Sequence, residues 1–246
     1  MAKHLILFLA ADPAGTDRLA LDEECAAIER ELSMTVGRED FDFRSKWAVS
    51  VDDLLRHLNT LKPAVIHFSG HGGGSTGLVL QEDGVPQTVP PRALMLLIKA
   101  AAPATRVVVL NACFSAAQAD ALCSVVDCVV GMDGDIGDDA ARSFAAAFYR
   151  ALGHRQSIGN AVDQGIAILA AKQLSDQAMP RCQTRAGVDA ATLVLDVEPP
   201  TITPGSCARE VAVPKPERGP HRYLRLAAVT ATVVLLIAFV TMALAL

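Results

Sequence analysis

Two short segments concentrate the residues able to do chemistry: His67-Phe68-Ser69-Gly70-His71-Gly72-Gly73-Gly74 and Leu110-Asn111-Ala112-Cys113-Phe114-Ser115. Each closes an apolar run that reads as a buried strand. A thiol becomes a competent nucleophile at neutral pH when an imidazole takes its proton, and two strands of a parallel sheet deliver both groups to one edge. His71 is therefore the expected base and Cys113 the expected nucleophile. The backbone amides of Gly72 and Cys113 are the expected oxyanion hole, and Gly72-Gly73-Gly74 leaves room for a peptide backbone to approach. The pairing points to attack on a peptide carbonyl.

Other roles for these residues are weaker. His67 lies within the apolar run and reads as a strand histidine hydrogen-bonded inside the domain. His67, His71 and Cys113 together offer zinc three ligands with no fourth in sight, so no metal or other cofactor is expected. Six cysteines, Cys25, Cys113, Cys123, Cys128, Cys182 and Cys207, contain no Cys-x-x-Cys pair, which argues against a zinc module and a disulfide framework.

The elements that must position the pair follow from hydrophobic period. Apolar runs at 5–10, 64–68, 107–110 and 128–131, with a more polar candidate at 41–49, predict strands. Helical spacing predicts helices over 19–32, 51–61, 90–101, 116–126, 138–152 and 157–173. Strands alternating with helices imply a parallel sheet covered on both faces, a three-layer α/β/α architecture. The helix over 116–126 starts just after Cys113, and its positive end is expected to favour the thiolate. Residues 77–80 and 85–89 flank Asp83-Gly84 and read as a hairpin, and 191–197 as a last strand.

The formal charge of −5, without a basic stripe and with only 4% aromatic residues, argues against direct nucleic-acid binding. Residues 226–246 form 21 consecutive uncharged, mostly aliphatic residues, the length of a transmembrane helix. Arg218, His221, Arg222 and Arg225 flank this run, which predicts a single-pass tail anchor with the preceding domain on the cytoplasmic side. Pro199, Pro200, Pro204, Pro214, Pro216 and Pro220 mark an extended tether. The expected organisation is a domain over 1–197, a Pro-rich basic linker over 198–225 and a membrane helix over 226–246. The apolar run near the N-terminus is closed by Asp12 and Pro13 and reads as a strand, not a secretory signal.

At the level of motifs the chain resembles the CHAT branch of the caspase-like cysteine peptidases, related to caspases, metacaspases, gingipains and separase, over about residues 3–197. The matching stretches are Leu5, Phe8-Leu9-Ala10-Ala11-Asp12-Pro13 with Arg18-Leu19 and Leu21-Asp22-Glu23-Glu24; Val65-Ile66-His67-Phe68-Ser69-Gly70-His71-Gly72; Val109-Leu110-Asn111-Ala112-Cys113-Phe114-Ser115; and Gly131-Met132 followed by Ile136, Asp138, Phe144, Phe148-Tyr149 and Leu152-Gly153. The resemblance implies a caspase-like fold with a mainly parallel sheet of about six strands, His71 and Cys113 as the catalytic dyad, and a thioester intermediate hydrolysed by water. Metacaspases place an Asp two residues before the nucleophile to hold a basic side chain; here neutral Asn111 stands there. Asn111, Asp133 and Asp135 are the candidate substrate-binding residues, with a solvated acidic loop as the alternative for the two aspartates.

The expected function is a membrane-anchored cysteine endopeptidase acting on a protein substrate in a bacterial defence or cell-death system, switched by an upstream activating protein or by self-association. The alternative is a caspase-like signalling module whose oligomerised membrane helix disrupts the bilayer, with Ala227, Ala228, Thr230 and Ala231 as small packing residues.

Overall fold

The computed structural model describes residues 3–174 and 180–195, which lie in one compact unit. The expected linker and membrane helix fall outside the described residues, as does Cys207. Among the described residues no helix is long and apolar enough to cross a membrane.

The chain runs β1 (His4–Ala11), α1 (Leu21–Ser33), β2 (Phe41–Lys46), α2 (Val51–Leu61), β3 (Val65–Gly70), β4 (Leu78–Glu82), β5 (Val85–Val89), α3 (Pro91–Ala101), β6 (Val107–Asn111), α4 (Ala119–Leu122), β7 (Cys128–Met132), α5 (Asp138–Gly153), α6 (Ile158–Ala171) and β8 (Pro180–Thr184). Six strands form one sheet in the order β2-β1-β3-β6-β7-β8; all pairings are parallel except β7 with β8.

Successive side chains of a strand point to opposite faces, and here the two faces sort cleanly. Ile6, Phe8, Val65, Val107, Val109 and Val130 pack with Leu21, Ile28, Phe144 and Phe148 of α1 and α5. Leu7, Leu9, Ile66, Phe68, Val108, Leu110 and Val129 pack with Leu54, Leu58, Leu94 and Ile98 of α2 and α3. Burial on both sides is why these strands read as continuous apolar runs. Ser50 starts α2 with a capping box: its hydroxyl accepts from the Asp53 amide at 3.1 Å, and the Asp53 carboxylate accepts from the Ser50 amide.

The hairpin forms as expected, with Asp83 and Gly84 both at positive φ (50° and 80°). It also holds the site: the Ala14 amide donates to the Gly84 carbonyl at 3.0 Å, fastening the β1–α1 loop to the hairpin tip.

Two expectations are corrected. Residues 191–195 form turn and irregular chain, with Leu193 and Leu195 buried in the core beside α5 and α6; the last strand is instead β8, whose Pro180-Arg181-Cys182-Gln183-Thr184 lacks an apolar run because it sits at the sheet edge. The expected helix over 116–126 is a 3-10 turn, Ser115–Gln118, followed by the four-residue α4. So short a helix supplies no extended dipole to Cys113.

Candidate active site

Register brings His71 and Cys113 to the same place. The β3–β6 ladder pairs His67 with Val109 and Ser69 with Asn111, so one further two-residue step, just past both strand ends, sets His71 against Cys113. On the other side of β3, Ala10 pairs with Ser69 and Ala11 with Gly70, which sets Asp12 against His71. The loops then touch: a Cβ on Gly72 would lie 2.0 Å from the Cys113 carbonyl oxygen.

The imidazole of His71 is oriented by β1 and its following loop. Nε2 lies 2.9 Å from the Asp17 carbonyl oxygen and 3.5 Å from Asp12 Oδ1. A carbonyl only accepts, so Nε2 carries a hydrogen, and in a neutral imidazole this leaves the lone pair on Nδ1.

The turn carrying Cys113 is pinned on both sides. Phe114 adopts a left-handed conformation (φ 52°), and its amide donates to the Gly134 carbonyl at 2.9 Å. Buried Ser115 donates to the Leu110 carbonyl at 2.7 Å and accepts from the Met132 amide at 3.0 Å. Gly131 lets this turn cross β7, since a Cβ there would meet the Ala116 amide nitrogen at 2.8 Å.

Cys113 is half-buried, and its thiol donates to Asp135 Oδ1 at 2.7 Å. Burial, and then the Asp135 carboxylate, push the thiol above its ordinary pKa; the backbone at Ile136 and at Cys113 itself pulls the other way. The expected helix-terminal stabilisation of the thiolate is thus replaced by a neutral thiol resting on a carboxylate.

The expected oxyanion donors are adjacent. Gly72 bridges Leu78 through bonds that use the His71 carbonyl and the Gly73 amide, which leaves the Gly72 amide outside that ladder. Of the expected substrate-binding residues, Asp135 reaches the thiol, whereas exposed Asp133 pairs with Arg181 at 2.7 Å. Asn111, the third of them, is 3% exposed, and its Nδ2 donates to Glu24 at 2.7 Å and to the Ala141 carbonyl at 3.1 Å, on the α1 side of β6.

His67 is the buried strand histidine expected, hydrogen-bonded to Glu24 at 2.7 Å and to Tyr149 at 3.1 Å and stacked on Phe8. Sequence reasoning missed the buried Glu24 at the centre of these contacts, and the Asp12 and Asp17 groups on His71. The signal for Glu24 was its place on the apolar stripe of α1 beside Leu21, Cys25 and Ile28. Open cavities flank the site, one of about 300 Å³ reaching Asp12 beside Trp47 and Arg18, and one of about 620 Å³ reaching Gly137 and Asp138.

With this geometry in view, residues 10–181 match the CHAT domain. The chain belongs to the CHAT family. It is 27% identical over 162 residues to a Roc-COR-CHAT protease of an unknown prokaryotic organism, covering 63% of this chain and 15% of that protein. It is 23% identical over 155 residues to a probable protease of Gillisia limnaea, covering 62% of this chain and 27% of the relative. The chain thus matches about a quarter or less of these relatives' lengths. A secreted C11 cysteine protease from Bacteroides thetaiotaomicron, solved with an irreversible peptide inhibitor, superposes with a TM-score of 0.55 at 14% identity, covering 70% of this chain and 60% of that one. The CHAT domain here has the mostly parallel, six-stranded caspase-like α/β fold.

Proposed function

We propose that this CHAT protein is a cysteine endopeptidase in which His71 and Cys113 act as a dyad. The observation that carries the reading is the contact of Gly72 with the Cys113 carbonyl, which puts an imidazole loop and a thiol loop on one sheet edge. His71 Nδ1 takes the thiol proton and Sγ attacks the peptide carbonyl carbon. The Gly72 and Cys113 amides hold the resulting oxyanion. His71 returns the proton to the amine as the C–N bond breaks, leaving a thioester that water hydrolyses with His71 again as base. The Asp17 carbonyl and the Asp12 carboxylate hold the imidazole in place through these steps.

In the free chain the thiol proton rests against Asp135. Turning the thiol from Asp135 to His71 arms the site, and a basic substrate side chain that engages Asp135 promotes that turn. The relatives named as proteases and the protease of similar fold support peptide hydrolysis. The uncharged stretch over 226–246, behind a basic Pro-rich linker, supports a single-pass anchor with the domain on the cytoplasmic side, where it would act as an effector in bacterial defence.

The test compares cells expressing the intact chain, Cys113→Ala and a chain ending at Pro220, following growth, membrane integrity and new protein termini. New termini and toxicity that vanish with Cys113→Ala are expected. Toxicity that survives Cys113→Ala but not truncation would assign the effect to the membrane helix.

A further inference from the structure

Beneath the site lies a buried carboxylate that the chemistry above does not use. Glu24 is 3% exposed. Its Oε1 accepts from His67 Nε2 and Asn111 Nδ2, each at 2.7 Å, and its Oε2 accepts from the Ser69 hydroxyl at 2.7 Å. His67 in turn accepts from Tyr149 at 3.1 Å. The three donors sit on the α1 side of two adjacent strands, two from β3 and one from β6.

The placement of those donors is specific. Ser69 stands two residues before His71, and Asn111 two residues before Cys113. One side chain, projecting from α1, therefore ties together the last steps of the two strands that carry the base and the nucleophile. We propose that Glu24 is a positioning residue that sets the separation of His71 from Cys113 by bonding Ser69 and Asn111 at once. This deepens, and rests on, the dyad assignment above.

Length and acceptor capacity explain why glutamate stands here. Three donors converge on one group, which an ionised carboxylate can satisfy with lone pairs to spare. Aspartate would withdraw the carboxylate by one methylene and lose reach to at least one strand. Glutamine keeps the length: its carbonyl can take His67 and Asn111 while its amide donates to the Ser69 oxygen. A dyad tolerates little displacement, since about 1 Å of misplacement costs on the order of 100-fold in rate.

A built-in control exists on the same helix. Glu31 is also a buried glutamate of α1, but it bonds Arg150 at 2.7 Å, away from the two strand ends. The experiment compares full-length wild type, Glu24→Asp, Glu24→Gln and Glu31→Gln by Tm, by kcat and KM on a cleavable peptide, and by the pH profile of Cys113 alkylation with iodoacetamide. Glu24→Asp is expected to lower kcat about 100-fold with KM within about twofold, and to displace the alkylation profile. Glu24→Gln is expected to recover to within about tenfold of wild type, and Glu31→Gln to lose Tm alone. Should Glu24→Asp fail to fold, Ser69→Ala, which cuts only the β3 tie, takes its place with an expected loss of about tenfold in kcat. Equal kcat in Glu24→Asp and Glu31→Gln at equal Tm, or a loss confined to KM, would overturn the proposal. If wild type shows no Cys113-dependent cleavage, the peptidase reading fails. The alkylation profiles then decide the positioning role, because an unchanged profile in Glu24→Asp overturns it and a displaced one sustains it.

Discussion

A Cβ added to Gly72 would lie 2.0 Å from the carbonyl oxygen of Cys113 and 3.0 Å from its carbonyl carbon. Real side chains do not approach backbone this closely, so the loops carrying the imidazole and the thiol meet only because residue 72 is glycine. Gly72→Ala must drive them apart. Peptidase activity is expected to fall at least about 100-fold while circular dichroism keeps the wild-type helix content, since the sheet ends before this residue. Steady-state assays beside far-UV spectra check it.

The thiol of Cys113 is held in its neutral form. A raised thiol pKa means that the protonated state is favoured, so the thiolate fraction at pH 7 lies below that of a free cysteine. Asp135→Asn removes the carboxylate contribution, lowers the pKa and moves the rising limb of Cys113 alkylation to lower pH. Alkylation at pH 7 is expected to quicken, because the thiolate fraction there grows as the thiol pKa falls. A limb that moves to higher pH would contradict the assigned role of Asp135.

Ser115 closes the turn around Cys113 by bonding strands β6 and β7 at once. Ser115→Ala leaves a buried carbonyl and a buried amide without that hydroxyl, and is expected to cost about 2 kcal/mol of stability. Chemical denaturation measures this directly. The same variant should lose activity beyond its loss of folded fraction, because the left-handed Phe114 next to it is part of the same turn.

Stability at acid pH should carry a mark of Glu31. The Arg150 guanidinium holds its carboxyl below the usual glutamate range, with burial opposing. A depressed carboxyl contributes stability above its unfolded pKa and loses that contribution as pH falls through the folded value. Arg150→Gln should therefore destabilise the domain by about 1 kcal/mol at pH 7, the difference shrinking as pH falls through and below the ordinary glutamate range. Tm measured across that range for both chains tests the sign.

How much of this was legible follows from the kind of signal each element carries. Strands β1, β3, β6 and β7 are buried on both faces and announce themselves as apolar runs, and with the helices between them they order the sheet. Edge strand β8 has no such run, and Leu193 and Leu195 mimicked a strand while burying themselves as irregular chain. His71 and Cys113 stood out by residue type and by their loops. Of the groups around them, Asp135 was named only as a substrate-binding residue and not as the partner of the thiol, a contact set by a loop whose path depends on Phe114 and Gly134; Asp17 gave no signal because it acts through its backbone carbonyl. The setting of Asn111 was hidden too: two-residue periodicity puts it on the face of Val107 and Val109, against a Glu24 that the sequence did not mark.

The proposed peptidase depends on activation of Cys113 by His71. The most direct measurement is reaction of the purified chain with a panel of peptidyl acyloxymethyl ketones, followed by peptide mapping and rate determination for wild type, Cys113→Ala and His71→Ala. A single adduct on Cys113, absent from Cys113→Ala and formed at least about 100-fold more slowly in His71→Ala, is the predicted result. Adducts spread over Cys25, Cys123 and Cys182, or a Cys113 rate indifferent to His71, would contradict the account.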